Sequence, residues 1–590
     1  MRRLPHVQWW PRWSHTHRDI NVQVLVSAWC WLFMLAGMWT PTVHAESAAP
    51  KSNAAPPARR GGLLTQDRLT AAAVSRTEFL MTHGNYAQTR FHPADRINRE
   101  TVKNLHLGWS FEMDITESIQ TAPIMYDGVV YVTSSFNHLF ALDAKTGREL
   151  WRYKHVMAPA VSLCCGPNNR GVEALGGLVY MGTLDSRLVA LDARTGAVVW
   201  SKQVADPLRG YSITMAPTVV SGKVLIGLAG AEYGIRGALK ALDAKTGKEV
   251  WTFYTTPENS VGVWATKDAV GLPLHRDIAA EKAALAKRGD PYKALGGSIW
   301  QNPSVDLENR RIYFVVGNPS PDLDGSGRPG DNLYTDSLVS LDLDTGKYVC
   351  HLQYVPHDVW DLDAVSPTVL TAVKNRAGEI VPGVIHGGKT GYLYVHDARD
   401  CSLIRVSDPL IEVKNERALP TAAGVVMRPG PNGGVSASPL AIDASQGVAF
   451  AVTTELATAY FKTISAEYPD GKLWLGGAFK GVPGEPIWGD LLAVDYNTGK
   501  IRWKVKKPAP MFGGVLATAG GLVFTGEANG KFAAYDSSNG RELWSYQADA
   551  GVNAPASTYE VDGKQYVVVG AGGNTQLGSK RGNKILAFSY

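Results

Sequence analysis

Apolar and polar positions alternate in short runs along this chain. "GVVYVTSS" at 128–135 and "GLVYMGTL" at 177–184 send successive side chains to opposite faces, the period-two pattern of strands. Such runs lead into a second segment that recurs. It reads "ALDAKTGRELW" to Trp151, "ALDARTGAVVW" to Trp200, "ALDAKTGKEVW" to Trp251, "AVDYNTGKIRW" to Trp503 and "AYDSSNGRELW" to Trp544. Degraded copies are "SLDLDTGKYVC", ending at Cys350, and "VHDARDCSLIR", ending at Arg405. Each copy predicts a strand, a tight turn and a strand. Asp and Thr side chains cap the turn, Gly supplies positive φ, and the closing Trp is placed to pack on a neighbouring copy and donate its indole N–H. A copy without Trp, "SPLAIDASQGVAFAVTT", fills the gap between 405 and 493. Seven copies and this stretch predict an all-β fold, an eight-bladed β-propeller with tryptophan-docking motifs. The C-terminal "NKILAFSY" is expected to pair with strands near the N-terminus, closing the ring and removing sheet edges.

The N-terminal 45 residues break the pattern. Arg2, Arg3, Arg12 and Arg18 precede an apolar run from Val24 to Trp39, and a small-residue site ends at Ala45. This predicts a secretory signal over 1–45, a flexible segment over 46–75 and the propeller over 76–590. Cys30 lies inside the apolar core, which argues against a lipid anchor. After cleavage the protein is expected to be periplasmic, with no stable membrane anchor. Removing the signal takes four of 59 basic and one of 54 acidic side chains. The near balance that remains points to no nucleic-acid partner.

In an oxidising compartment the four other cysteines, Cys164, Cys165, Cys350 and Cys401, are compatible with two disulfides. Cys350 ends one degraded copy and Cys401 lies within the next, each where a tryptophan contact between blades has been lost. A Cys350–Cys401 staple is the expectation. No C-x-x-C-H occurs, so no c-type haem is attached.

The adjacent cysteines with Arg170, "GLAGAEYGIRG", "GGSIWQNP", "VVGNPSPDLDG" and "HDVWDLD" stand in an order and spacing that resembles the periplasmic quinoprotein alcohol dehydrogenases. The resemblance runs from about Glu78 to the C-terminus. It implies a bound pyrroloquinoline quinone (PQQ) and a metal ion. It further implies that Cys164–Cys165 is a vicinal disulfide covering one face of the flat cofactor. Adjacent Cα atoms lie closer than disulfide-linked residues usually do, so such a lid is stiff. Trp300 matches the tryptophan that covers the other face. PQQ is a tricarboxylate, and Arg170, Thr214 and Gln120 match cofactor contacts, although many alcohol-oxidising relatives carry Glu where Gln120 stands.

Glu232, Asn318 and Asp361 match the metal ligands of that family; hard cations take oxygen donors of this kind. Asp363, two positions on, can add a fourth, since residues i and i+2 of an extended segment face the same side. Calcium is the expected ion. An aspartate at this position accompanies a lanthanide in some methanol-oxidising relatives, which keeps that alternative open. "DLDGSGRPGD" at 322–331 lacks the glutamate of an EF-hand and reads as a loop beside the site.

The implied reaction is a two-electron oxidation of an alcohol. Asp361 acts as general base, Lys389 stabilises charge on the quinone oxygens, and electrons leave to a separate acceptor such as a periplasmic cytochrome c. Ser436 stands where alcohol-oxidising relatives place Asn, and Phe512 where Trp is common; both changes predict a roomier pocket. Two rival functions share parts of this pattern. One is a PQQ enzyme acting on sugars or polyols; the other is a propeller scaffold without catalysis.

Overall fold

The computed structural model describes residues 63–158, 161–463, 468 and 471–590. The signal expected over 1–45 lies outside them. Residues 63–75, grouped above with the N-terminal segment, hold a short helix, Gln66–Thr70, capped by Thr65 and fixed by the buried Leu64 and Leu69.

The strands form an all-β propeller. Ile124–Tyr126, Val129–Thr133, His138–Asp143 and Glu149–Lys154 pair antiparallel in chain order. The same four-strand order repeats from Glu173 to Gln203, Thr218 to Tyr254, Ser304 to Gln353 and Val369 to Val406. Leu516–Thr518 begins another such sheet, with Phe91–His92 added in parallel. One sheet takes its first strand from the opposite end of the chain: His106–Glu117 pairs with Gly582–Ser589, from His106↔Ser589 onward. The C-terminal strand thus finds the N-terminal partner that the pattern predicts.

Burial explains why some strands alternate and others do not. Inner strands such as Val448–Glu455 and Leu522–Gly526 are buried throughout, and their sequences are accordingly apolar and small. The outermost strand Lys500–Lys507 exposes alternate side chains, and those positions are basic: Lys500, Arg502, Lys504 and Lys506.

The recurring turns are built as the residues suggest. Asp143 Oδ1 accepts the Thr146 N–H at 2.9 Å and the Thr146 hydroxyl at 2.8 Å, and Asp192, Asp243 and Asp342 repeat the arrangement. Gly346 has φ +67°, and a Cβ there would lie 2.6 Å from the Trp251 ring. That tryptophan comes from the preceding sheet and donates its indole N–H to Leu343 O at 3.2 Å. Trp151 and Trp503 make the same contact on Ala193 and Ser537. Trp200 packs on Gly247, but its indole N–H finds no acceptor among the described residues.

Cys350 occupies the Trp position of its copy, and Cys401 the turn-Gly position of the next. The two form a disulfide with Cα atoms 5.7 Å apart. A covalent bond therefore replaces the Trp–Gly contact between these two sheets. Cys401 keeps the glycine-like φ of +63° and the turn hydrogen bond to Asp397 O.

Outside the repeat, Val425–Met427, Thr458–Lys462 and Gly477–Gly481 make a separate three-stranded sheet. It interrupts the sheet containing Val448–Glu455 and Trp488–Asp495. An exposed helix, Ile278–Arg288, interrupts the chain between Tyr254 and Ser304; no periodicity had suggested it.

Candidate active site

One pocket of about 800 Å³, counted to its open mouth, gathers connecting segments from most of the sheets; that size suits a small-molecule site. Cys164, Cys165 and Arg170 reach it from the 155–172 connection. Thr214 precedes Thr218–Val220, and Glu232 sits in the turn Ala231–Tyr233. Trp300 and Asn318 flank Ser304–Val315, Asp361 and Asp363 come from the connection between Gln353 and Val369, and Lys389 from that between Gly387 and Leu393. Ser436 and Phe512 also line it. Of the predicted site residues, Gln120 alone is absent from its walls. Gln120 lines an adjoining cavity that shares Arg170 and Phe512 with the pocket.

Cys164 and Cys165 form a disulfide with Cα atoms 3.8 Å apart, and Asn168 Nδ2 donates to Cys165 O at 2.7 Å. Beyond Cys165, Gly166 packs on Thr575, next to Gln576 at the rim. The sulfurs lie within 4.8 Å of a Glu232 oxygen. As disulfide atoms they carry no thiolate charge, so this grouping is no thiolate metal centre.

Arg170 places its guanidinium carbon 4.8 Å from the Trp300 ring centroid, a cation–π arrangement. Burial lowers its pKa to about 10, which leaves it charged at neutral pH.

Another part of the lining is crowded with carboxylates. Lys389 Nζ donates to Asp361 Oδ1 at 2.8 Å and lies 3.6 Å from Asp363 Oδ1. Asp363 Oδ1 also accepts the Asn318 N–H at 3.1 Å. Burial pushes Asp361 well above the ordinary carboxylate range; Lys389 opposes the shift and Asp363 adds to it. Glu232 is raised by burial and then by Asp363. Burial works against the Lys389 ammonium, but Asp361 and Asp363 outweigh it and raise its pKa. Asp361 itself has φ +59°, a conformation that Asp tolerates better than most residues and that clusters at functional sites.

Behind this wall stand two carboxylates that sequence reasoning passed over. Asp322 is 2% exposed, and its Oδ1 has no hydrogen-bond partner among the described residues. Neither oxygen of the fully buried Asp336 has one either. Burial raises both, Asp322 further through Glu232 and Asp363, and Asp336 through Asp358 and Asp363. Asp336 precedes a strand, where an Asp in a repeat protein reads as a turn cap, and Asp322 opens the loop read from the sequence as lying beside the site. The rest of the 322–331 loop is structural: Asp331 pairs with Arg276 at 2.5 Å and accepts the Val263 N–H. Asn432, Tyr233 and Gln576 also line the pocket without having been foreseen.

A sequence profile described as PQQ, glucose/ethanol/alcohol dehydrogenase, β-propeller domain, matches residues 80–421 and 479–567. The chain is 35% identical over 517 residues to quinohemoprotein alcohol dehydrogenase ADH IIB of Pseudomonas putida, covering 83% of this chain and 73% of that one. It is 32% identical over 588 residues to the quinoprotein ethanol dehydrogenase of Pseudomonas aeruginosa, covering 92% and 93%. Among solved structures, a europium-containing methanol dehydrogenase superposes with a TM-score of 0.79 at 28% identity, covering 89% of this chain and all of that one.

Proposed function

The chain belongs to the PQQ-dependent alcohol dehydrogenase family, and from that premise we propose a periplasmic, metal-dependent enzyme that oxidises an alcohol to an aldehyde or ketone. Its electrons pass to a separate acceptor such as a cytochrome c. The repeating four-stranded sheets support an eight-bladed ring as its frame.

The observation that carries this reading is the polarity of the pocket. One part of the lining sets Arg170 against Trp300; another presents Glu232, Asp361 and Asp363 around one lysine, with further buried carboxylates behind and the disulfide sulfurs within 4.8 Å of a Glu232 oxygen. A buried excess of carboxylates with unpartnered oxygens suits a cation. An arginine beside an aromatic face and a polarizable disulfide suits a flat anionic ring system. Glu232, Asn318, Asp361 and Asp363 would hold the metal, and Cys164, Cys165, Arg170, Thr214 and Trp300 the cofactor, with Gln120 reaching it from the adjoining cavity.

When bound, PQQ supplies the two-electron acceptor and the metal a Lewis acid. The chain's part is positioning and proton handling. Asp361 accepts the substrate hydroxyl proton, which requires its ionised form. Burial opposes that form and Lys389 supports it; an added cation supports it further, so metal loading and base strength are coupled. Lys389 stands where its charge can offset negative charge developing on the cofactor. Calcium is the expected ion, with a lanthanide as the alternative that Asp363 and the europium-containing relative keep in view. The test is an absorbance scan of purified protein for bound quinone, followed by alcohol-dependent reduction of an artificial electron acceptor. Primary and secondary alcohols, polyols and aldoses are compared as substrates. A protein with neither bound quinone nor turnover after reconstitution with PQQ and metal would not be this enzyme.

A further inference from the structure

The cavity next to the pocket differs from it in one chemical respect. Its walls include Thr82, His83, Gln120, Arg170, Gln301 and Asn553, and among the described residues no Asp or Glu lines it. It spans about 420 Å³ counted to its open mouth and meets the main pocket across Arg170 and Phe512. His83 is 5% exposed, and among the described residues neither ring nitrogen makes a well-formed hydrogen bond, although the Asn302 side chain approaches the ring. Asn553 is 2% exposed; its Oδ1 accepts from Ser579 Oγ at 3.1 Å. The amide oxygen is engaged, and the Nδ2 donors have no partner among the described residues. Buried donors without acceptors are costly. A space that concentrates them next to a charged guanidinium, while excluding every carboxylate, is built for an anion.

We propose that this cavity is a carboxylate subsite, in which His83, Asn553 and Gln120 receive one carboxylate of the cofactor across Arg170. The inference rests on the PQQ reading and extends it to residues outside the main pocket. Burial, then Arg90, holds the His83 ring neutral, so it offers one N–H donor without adding charge. The two ends of the site then divide the work by charge: the carboxylate-rich end takes the cation, the carboxylate-free end the cofactor's anionic group.

The test titrates PQQ into the cofactor-free, calcium-containing full chain and follows quenching of tryptophan fluorescence. Phenanthroline quinone, an uncharged three-ring ortho-quinone, serves as the parallel probe. Asn553→Asp is nearly isosteric and places a negative charge in the subsite; it is expected to weaken PQQ binding about a hundredfold. His83→Phe, which removes a donor, is expected to weaken it about tenfold. Both variants should bind phenanthroline quinone as the parent does. PQQ binding unchanged in a folded Asn553→Asp protein would overturn the subsite and leave the cavity to water. Equal losses for both quinones would overturn it in favour of a structural role. A parent that binds no PQQ would overturn the cofactor reading itself. Should His83→Phe fail to fold, Asn553→Asp decides the matter alone.

Discussion

In the repeats, polar groups are answered close at hand. Asp143 takes its own turn's N–H groups and threonine hydroxyl, and Trp251 gives its N–H to a carbonyl of the next sheet. In and behind the pocket the balance is reversed. Asp336 is fully buried with both oxygens unpartnered, Asp322 has one oxygen in that state, and Asp361 and Asp363 share a single lysine. The frame consists mostly of satisfied local motifs, the Trp200 N–H excepted; the site concentrates unsatisfied groups that the frame holds in place. Such an arrangement trades stability for the ability to bind charge.

That contrast predicts that site variants lose activity while keeping stability, and that frame variants do the reverse. The largest effect is expected from Asp361→Ala. Loss of the base should lower turnover of the PQQ- and metal-loaded protein by at least about a thousandfold, with thermal unfolding of the cofactor-free protein unchanged or later. A fall in melting temperature matching the loss of activity would break the contrast.

Trp251→Ala removes the ring that packs on Gly346 and the N–H bond to Leu343 O. It should cost about 3–5 kcal/mol in denaturant unfolding while kcat at 25 °C stays within about twofold of the parent.

The double substitution of Cys350 and Cys401 by Ala should cost about 2–4 kcal/mol, again with little change in kcat. Peptide mapping without reduction should find the two linked in the parent. The vicinal Cys164–Cys165 pair closes almost no chain, so its replacement should leave unfolding nearly unchanged and weaken PQQ binding instead. Equal stability losses from the two disulfides would remove the distinction.

The last effect is read by its sign. Burial raises Glu173 to about 8 as it accepts the Thr82 N–H at 2.9 Å. A carboxyl raised in the folded state contributes stability below its unfolded value of about 4.5, and that contribution is lost as pH rises toward 8. Melting temperature should therefore fall from pH 5 to pH 8, and less steeply in Glu173→Gln. A steeper fall in the variant would contradict the assignment.

The frame was legible because its code is local. Asp, Thr, Gly and Trp recur at fixed offsets, and each offset corresponds to one hydrogen bond or one ring contact. Cys350 and Cys401 were legible for the same reason, as substitutions at two known offsets. The site was legible through resemblance rather than through spacing: Glu232, Asn318 and Asp361 come from separate connections, and no local pattern joins them. Asp322 and Asp336 stayed hidden because an aspartate's lack of a partner is a property of its folded surroundings. Gln120 was placed with the cofactor contacts, yet the structure puts it one wall further, in the cavity of His83 and Asn553. The helix Ile278–Arg288 has no buried residues, so no apolar stripe announced it.

The most direct test of the account is reconstitution of the cofactor-free protein with PQQ and either Ca²⁺ or La³⁺, followed by alcohol-dependent reduction of an artificial acceptor in parent, Asp361→Ala and Asp363→Ala proteins. The account predicts turnover in the parent only when PQQ and metal are both supplied, none above background in Asp361→Ala, and metal affinity weakened about tenfold or more in Asp363→Ala. Turnover without metal, or an Asp361→Ala protein that holds both PQQ and metal and still oxidises alcohols within tenfold of the parent, would contradict it.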